Sequence, residues 1–482
     1  MLLLPISIYT RFIRSLSLCV FALSLAGCEQ LKGYVVDQPD LNQIALDYES
    51  SGSRSALNSF AAFVADTDYA GSWPPEKWGL EELMYAGLYF SPRLEVARQS
   101  RDLFGISAQL AALGSKRTVQ VATEYHGREI DGEEPWGLGF TVGLPFFSKQ
   151  KQAALVQKSL FYVDDASLDL SQQVWLLHAS LRNNLFEWSS NKARRGLLRQ
   201  QIALGRELVD LLEKRVAYGF SDREELSNRY LELGRLRQVE INLEVKRLEI
   251  ISSIAKLIGK PLIELEKIEL QTFSFDQYFV VEDAGFYQKN ALLNRIDLQK
   301  SLVNFGISDS ELKIALINRY PELSISPGYF WDQGDKIWNF ALGLVLPNHA
   351  DTFVSKAEAL RSLRHLQVKE QQLIIRSDVD RFHSVAVSTQ KILNETRSNL
   401  NRAKRSFLDK EQAFGAGDIS RIDLYDARMN YIEVADRFIA SRLAFYVAVS
   451  KLEDSCQTPL IFQYNVPLKN NDRRSKIERS AL

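Results

Sequence analysis

The sequence predicts a mainly helical protein with a small β part, arranged as two tandem helix–strand–strand–helix–turn–helix units. Three observations carry that expectation. Short phrases recur in one order at a nearly constant offset. Two very long stretches, Ser148–Tyr218 and Asp351–Ala416, contain no internal proline. Four short segments alternate apolar residues with small or polar ones, the period of a strand.

Phe104-Gly105-Ile106-Ser107 returns as Phe305-Gly306-Ile307-Ser308, and Arg93-Leu94-Glu95-Val96 as Arg295-Ile296-Asp297-Leu298. Phe140-Thr141-Val142-Gly143-Leu144-Pro145 answers Leu342-Gly343-Leu344-Val345-Leu346-Pro347. Gly219 to Leu226 aligns with Gly417 to Leu424 without a gap. The expected division is therefore a lead-in over 28–79, one unit over 80–260, a connector over 261–281, a second unit over 282–455 and a polar tail over 456–482.

Each unit opens with an amphipathic helix, roughly Leu80–Ser115 and Glu282–Asn318. A strand follows, with Val119, Val121, Thr123 and Tyr125 on one face, or Leu323, Ile325, Pro327 and Tyr329 in the second unit. The next strand is clearer. Leu138, Phe140, Val142 and Leu144 share a face opposite Gly139, Thr141 and Gly143. Trp338, Phe340, Leu342, Leu344 and Leu346 do the same opposite Asn339, Ala341, Gly343 and Val345. Apolar alternation with aromatics near the ends fits a transmembrane barrel strand. It also fits a half-buried soluble sheet.

Pro145 and Pro347 end the strands and suit a helix start. Leu170, Val174, Leu177, Leu181, Leu185 and Trp188 then recur at helical spacing. A helix of that length reaches roughly 100 Å. No globular core is so deep, so these helices are expected to pack on each other as coiled coils. Gly219 and Gly417 end them, and Asp222-Arg223-Glu224-Glu225 and Ser420-Arg421-Ile422-Asp423 read as capping boxes that start the returning helices.

The chain has 482 residues, 25% of them charged, and a net charge of −1, which provides no general attraction to nucleic acid. At the N-terminus, Arg11 and Arg14 precede an apolar run too short to span a bilayer, so residues 1–27 read as a secretory signal. The run ends in Leu25-Ala26-Gly27-Cys28, which resembles the lipobox of bacterial lipoproteins. That resemblance implies a diacylglycerol and a fatty acyl group on Cys28, and Glu29 in place of Asp leans toward the outer membrane. Cys456 would be the one remaining thiol, so no internal disulfide is expected. No later run is long and apolar enough for a transmembrane helix.

A tandem unit of this order behind a lipobox resembles the TolC-like outer-membrane efflux protein family. Leu80-Glu81-Glu82-Leu83 leading to Pro92-Arg93-Leu94 is similar to that family's first helix. Ala291 to Leu298 is similar to the start of its second repeat, and Tyr320-Pro321-Glu322-Leu323-Ser324 to its third strand. The most specific likeness is Gly417-Asp418-Ile419-Ser420-Arg421-Ile422-Asp423-Leu424-Tyr425-Asp426-Ala427, which resembles its second periplasmic turn. The resemblance implies a homotrimer in which each chain gives four strands to one transmembrane β-barrel, continued by a long periplasmic tunnel of coiled helices. It implies a passive exit duct in the outer membrane, fed by an inner-membrane pump and a periplasmic adaptor. By alignment it puts a ring of carboxylates on Asp423 and Asp426, and adaptor contacts on the tips Gly219, Phe220, Ser221, Ala416, Gly417 and Asp418. Asp423 and Asp426 are equally explained as helix-start carboxylates.

One departure stands out. The family often latches neighbouring helices with an aromatic hydroxyl and an Arg beside this turn, where this chain has Phe414 and Ile419. Arg421 or Arg223, paired with Glu225 or Glu224, are candidate substitutes. The histidines 126, 178, 349, 365 and 383 show no metal-ligand spacing, and no nucleophile elbow or phosphate-cradling loop occurs, so neither an enzyme nor a cofactor is expected. The competing reading is a periplasmic coiled-coil adaptor lipoprotein, against which the duplicated strand pair argues.

Overall fold

The computed structural model describes residues 40–50, 54–67, 73–114, 118–125, 136–146, 149–275, 279, 281–332 and 335–461. The signal segment with Cys28, the loop 126–135 and the tail beyond 461 lie outside them. Two units are distinguished, Met1–Ala56 and Leu57–Leu482. The first holds α1 (Leu41–Ser50), with Leu41, Ile44 and Leu46 exposed, and the start of α2 (Arg54–Ala65).

The second unit holds everything else. Its order is the rest of α2, α3 (Leu80–Phe90), α4 (Pro92–Ala112), β1 (Thr118–Tyr125), β2 (Trp136–Phe146), α5 (Lys149–Ala217), α6 (Arg223–Ile258) and α7 (Leu262–Leu265). Then come α8 (Ala284–Asn294), α9 (Ile296–Ile317), β3 (Glu322–Asp332), β4 (Asp335–Val345), α10 (Ala350–Ala416) and α11 (Arg421–Cys456). With 69 residues, α5 is roughly 100 Å long.

The opening helix of each half is two helices, not one. Ser91 breaks the first with an extended backbone, φ −68° and ψ 114°. The residue before a proline avoids the helical region, and Pro92 can only start a helix. Arg295 breaks the second with φ −62° and ψ 118°, and no proline helps it. There the break is held by side chains. Arg295 Nη1 donates to the Ser455 carbonyl at 3.2 Å and Nε to Asp297 at 2.9 Å, while Ile296 N–H donates to Gln457 Oε1 at 2.6 Å.

These breaks let short helices stack end to end. The end of α6 at Gly259 meets the start of α4, and both lie along α5. The end of α11 meets the start of α9, and both lie along α10. The helix α5 also packs on α9 and α11, so it joins the two halves.

The main core lies at the first joint. Leu83, Leu181, Ile254 and Ile258 are at most 1% exposed there, beside Leu177 and Leu185. The N-terminal lead-in enters this core, because Phe60 and Val64 of α2 are fully buried with Trp73 and Trp78 packed alongside. The connector enters a second one. Phe273 and Phe275 form edge-to-face pairs with Tyr446 at 5.4 and 5.0 Å, around buried Phe186. Such pairs add to the area term by about 0.5–1.5 kcal/mol.

The four strands form one antiparallel sheet in the order β1-β2-β3-β4. The β2–β3 pairing welds the two halves together. Its ladder skips the positions between Thr141↔Gly328 and Leu144↔Ile325, where Pro327 has no N–H to offer.

Candidate functional site

The register sorts the sheet into two unlike faces. Val121, Phe140, Tyr329 and Trp338 lie in one cross-strand row, and Leu144, Ile325 and Leu342 in another. Every side chain of this face is apolar except Thr123 at one edge and Lys336 at the end. Among the described residues Trp338, Phe340 and Leu342 of this face stand 71%, 73% and 67% exposed. The other face carries Gln120, Gly139, Thr141, Gly143, Ser324, Gly328, Asn339 and Gly343. A sheet with a greasy face turned outward and a small, polar face behind it suits lipid on one side and water on the other. Among the described residues both outer strands, β1 and β4, leave an unpaired edge. In lipid such edges are not tolerated, so a membrane-spanning sheet of this kind would need further strands to close it.

The helical edges repeat this incompleteness. On α4, Val96, Leu103, Ile106 and Leu110 recur at spacings of seven, three and four, and all are exposed. On α6, Leu231, Gly234, Gln238, Ile241, Val245 and Leu248 recur at alternating three and four, and are likewise exposed. That is the seam of a coiled coil with no helix in it. On the opposite edge, α10 exposes Leu363, Leu366, Leu373 and Ile392.

At the far end of the helices are the tips. Gly219 takes φ +75°, which an L side chain rarely adopts, and Phe220 N–H donates to the Arg215 carbonyl at 2.7 Å. Tyr218 and Phe220 stand out at 78% and 72% exposure, with Ser221 half-buried. At the second tip Gly417 takes φ +85°, and Asp418 N–H donates to the Ala413 carbonyl at 2.9 Å. Ala416, Gly417 and Asp418 are exposed.

The structure separates Asp423 from Asp426 in role. Asp423 closes a full capping box: its carboxylate accepts from Ser420 N–H at 3.0 Å, and its own N–H donates to Ser420 Oγ at 3.2 Å. The Ser420 donors hold its carboxyl below the usual carboxylate range. The first turn is simpler than expected. Asp222 caps Glu224 N–H at 3.2 Å, and no reciprocal bond completes a box.

Asp426 reaches across to the other hairpin. It accepts from Arg229 Nη2 of α6 at 2.9 Å, and Arg229 also binds Glu232 at 3.1 Å. The guanidinium lies 5.7 Å from the centre of the buried Tyr425 ring, whose hydroxyl is pushed up to about 12, first by burial. The substitute pairs expected from sequence do not form around Arg421, which faces Glu207 at 3.9 Å instead. Arg229 sits six residues beyond the turn, too far along the chain for a local pattern to single it out.

A second charged group gives no signal in the sequence. Arg182 of α5 is 0% exposed and pairs with the equally buried Glu453 and with Asp454 at 2.9 Å, both on α11. It also donates to the Ser450 carbonyl at 3.2 Å. Burial pushes the Glu453 carboxyl up, and Arg182 opposes that rise. Burial, then the Arg182 charge, depress the neighbouring His178 to about 3, so its imidazole is neutral. In sequence Arg182 looks like one more solvated helix residue. The basic run 192–199 reads the same way, yet it bridges helices. Arg194 is bidentate to Asp436 at 2.7 and 2.9 Å, and Arg195 pairs with Glu244 at 2.7 Å.

No protein-family model and no curated sequence matches the chain. Solved structures do. The outer-membrane channel OprN aligns with a TM-score of 0.67 at 15% identity, covering 79% of this chain and 90% of its own. The Campylobacter jejuni CmeC outer membrane channel gives 0.67 at 13%, covering 86% and 96%. The outer membrane protein VceC from Vibrio cholerae gives 0.65 at 16%, covering 79% and 96%. At such identities the likeness is one of fold, and this chain has the TolC-like fold its sequence resembles.

Proposed function

We propose that three copies of this chain form an outer-membrane exit duct. The observation that carries it is the sheet, apolar on one whole face and open at both edges. Four strands cannot enclose a pore, but three chains supply about 12. The exposed seam of α4 and α6 then receives the α10 edge of the next copy, so barrel and helices close around one axis. Conduction is passive, with energy from an inner-membrane pump delivered through a periplasmic adaptor docked at the tips Gly219, Phe220, Ser221, Ala416, Gly417 and Asp418.

Asp423 and Asp426 are read as the gate. Repeated three times around the axis, they line the narrow end with carboxylates, which favours cations. In the resting chain Asp426 is neutralised by Arg229. Opening frees it, so the gate gains negative charge as it widens.

Lipidation at Cys28 fits the reach of the chain. Phe60 packs beside Leu177–Leu185 of α5, about 45–55 Å along the helix from Lys149 at the foot of the sheet. With α1 and the start of α2 helical, the segment from Cys28 to Phe60 can span at most roughly 75 Å. An adaptor lipoprotein has no use for a sheet whose apolar face is bare.

The deciding measurement is the native mass of the detergent-extracted, mature protein, followed by conductance in a planar bilayer. Three chains and a current are expected. A stable monomer would sink the duct reading.

A further inference from the structure

The inner face of the sheet departs from its small and polar pattern at one place away from the helix end. Phe330 of β3 and Ile337 of β4 are cross-strand neighbours on that face. They lie next to the β1–β2 and β3–β4 turns, the end of the sheet farthest from the helices. The row one step nearer the turns is Glu124, Gly137, Asp332 and Asp335.

The Phe330 ring lies on glycine. It covers Gly139 of β2, where a Cβ would overlap it, and its far edge approaches Gly328, where a Cβ would sit 3.2 Å away. A ring pressed on two bare backbones lies along the wall and turns its other face to the interior. Gly137 is roofed in the same manner by its neighbours: a Cβ there would meet Asp332 Oδ1 at 3.0 Å and Glu124 Cβ at 3.5 Å. Successive rows on one face are about 7 Å apart. That spacing matches the width of a fused aromatic ring system bearing a positive charge.

Resting on the duct reading above, we propose that Phe330, with Ile337, is a stacking platform on the channel's inner wall that selects planar aromatic cations among the cargo. The ring face attracts the cation through its quadrupole and offers flat apolar area. Asp335, on the next row outward, adds a carboxylate to the same wall. Three copies would set three such platforms around the mouth. The glycines at 139 and 328 are then required by the platform and not only by the strand.

Ethidium binding to the detergent-extracted full-length trimer, read by fluorescence anisotropy, tests this. Phe330→Leu keeps the bulk and removes the π face, and should weaken ethidium binding roughly fivefold or more. Gly139→Val, which lifts the ring from its bed, should weaken it as well. Pyrenetetrasulfonate, equally planar but anionic, should not bind. The inference is overturned if wild type binds no more ethidium than detergent alone, if both variants bind as wild type does, or if the anion binds equally well. Native mass separates the two failures. A monomer removes the duct reading, whereas a trimer with unaltered variants removes only the platform.

Discussion

The two helix joints of this chain solve one geometric problem by different chemistry. At the first, Pro92 and Gly259 do the work: a proline that can only begin a helix meets a glycine at φ +74°. A Cβ on Gly259 would sit 2.7 Å from the Phe90 carbonyl oxygen. At the second, Gln457 takes φ +49° without being glycine, and no proline stands at the break. Side-chain bonds replace both: Arg295 to Ser455 and Asp297, Gln457 to Ile296, and Arg182 to Glu453 and Asp454 just inside. One joint is written in backbone preferences, the other in a buried polar network. Backbone preferences act whatever surrounds them, whereas a network stands or falls with every partner.

That contrast is open to direct attack. The largest effect is expected from Arg182→Ala, which leaves the Glu453 carboxylate buried without its partner. Breaking a buried pair from one side costs about 3–5 kcal/mol. The thermal unfolding midpoint of the purified protein should drop steeply, and pairing Arg182→Met with Glu453→Leu should restore most of the loss. If the single variant melts like wild type, the network is not what holds the second joint.

Next in size is Gly259→Val at the first joint, which combines positive φ with a clash against backbone and should cost about 2–3 kcal/mol. Pro92→Ala at the same joint should cost about 0.4–1 kcal/mol, because the unfolded chain gains freedom and Ser91 is no longer kept out of the helical region. Arg295→Ala should fall between them, at about 1–3 kcal/mol for its hydrogen bonds to charged and carbonyl partners. Denaturation of the three side by side would rank them, and silence at both Pro92 and Gly259 would overturn the comparison.

The smallest stability effects belong to the tips. Arg229 and Asp426 are partly exposed, so Asp426→Asn should cost under about 1 kcal/mol. Its signature should be functional: higher resting conductance than wild type in a planar bilayer. Asp423 supplies a pH test. Its folded carboxyl lies below the ordinary value of 3.8, so the ionised form is the one the cap stabilises. That contribution is complete above the unfolded value and disappears as pH falls through the depressed one. Hydrogen exchange at the N–H groups of Asp423 and Leu424 should therefore quicken below that range in wild type. Ser420→Ala, which removes half of the box, should show the faster exchange already at neutral pH.

Much of the fold is legible in the sequence. Period-two alternation places all four strands, because side chains of a strand must go to opposite faces. Glycines and caps place both reversals, and the proline-free runs place the long helices. The split of the opening helices is harder to see. Pro92 announces the first, but Arg295 depends on partners 160 and more residues away. The lead-in looks polar because only Phe60, Val64 and the nearby tryptophans mark it, too few for a periodic signal. Of the candidate site, the tips and the Asp423 cap follow from turn chemistry, whereas the Asp426–Arg229 bridge joins two hairpins and has no local mark.

The sequence by itself determined everything that rests on local stereochemistry and on periodicity: element types, reversal points, and the division of each strand into two faces. Tertiary structure decided which charges are buried and which residues meet across helices. Arg182 and Arg229 read alike as helix cations, yet one is sealed between α5 and α11 and the other spans the two hairpins. The reason is physical. A residue's backbone preference is its own property, whereas the cost of burying a charge and the identity of its partner exist only once distant segments have packed.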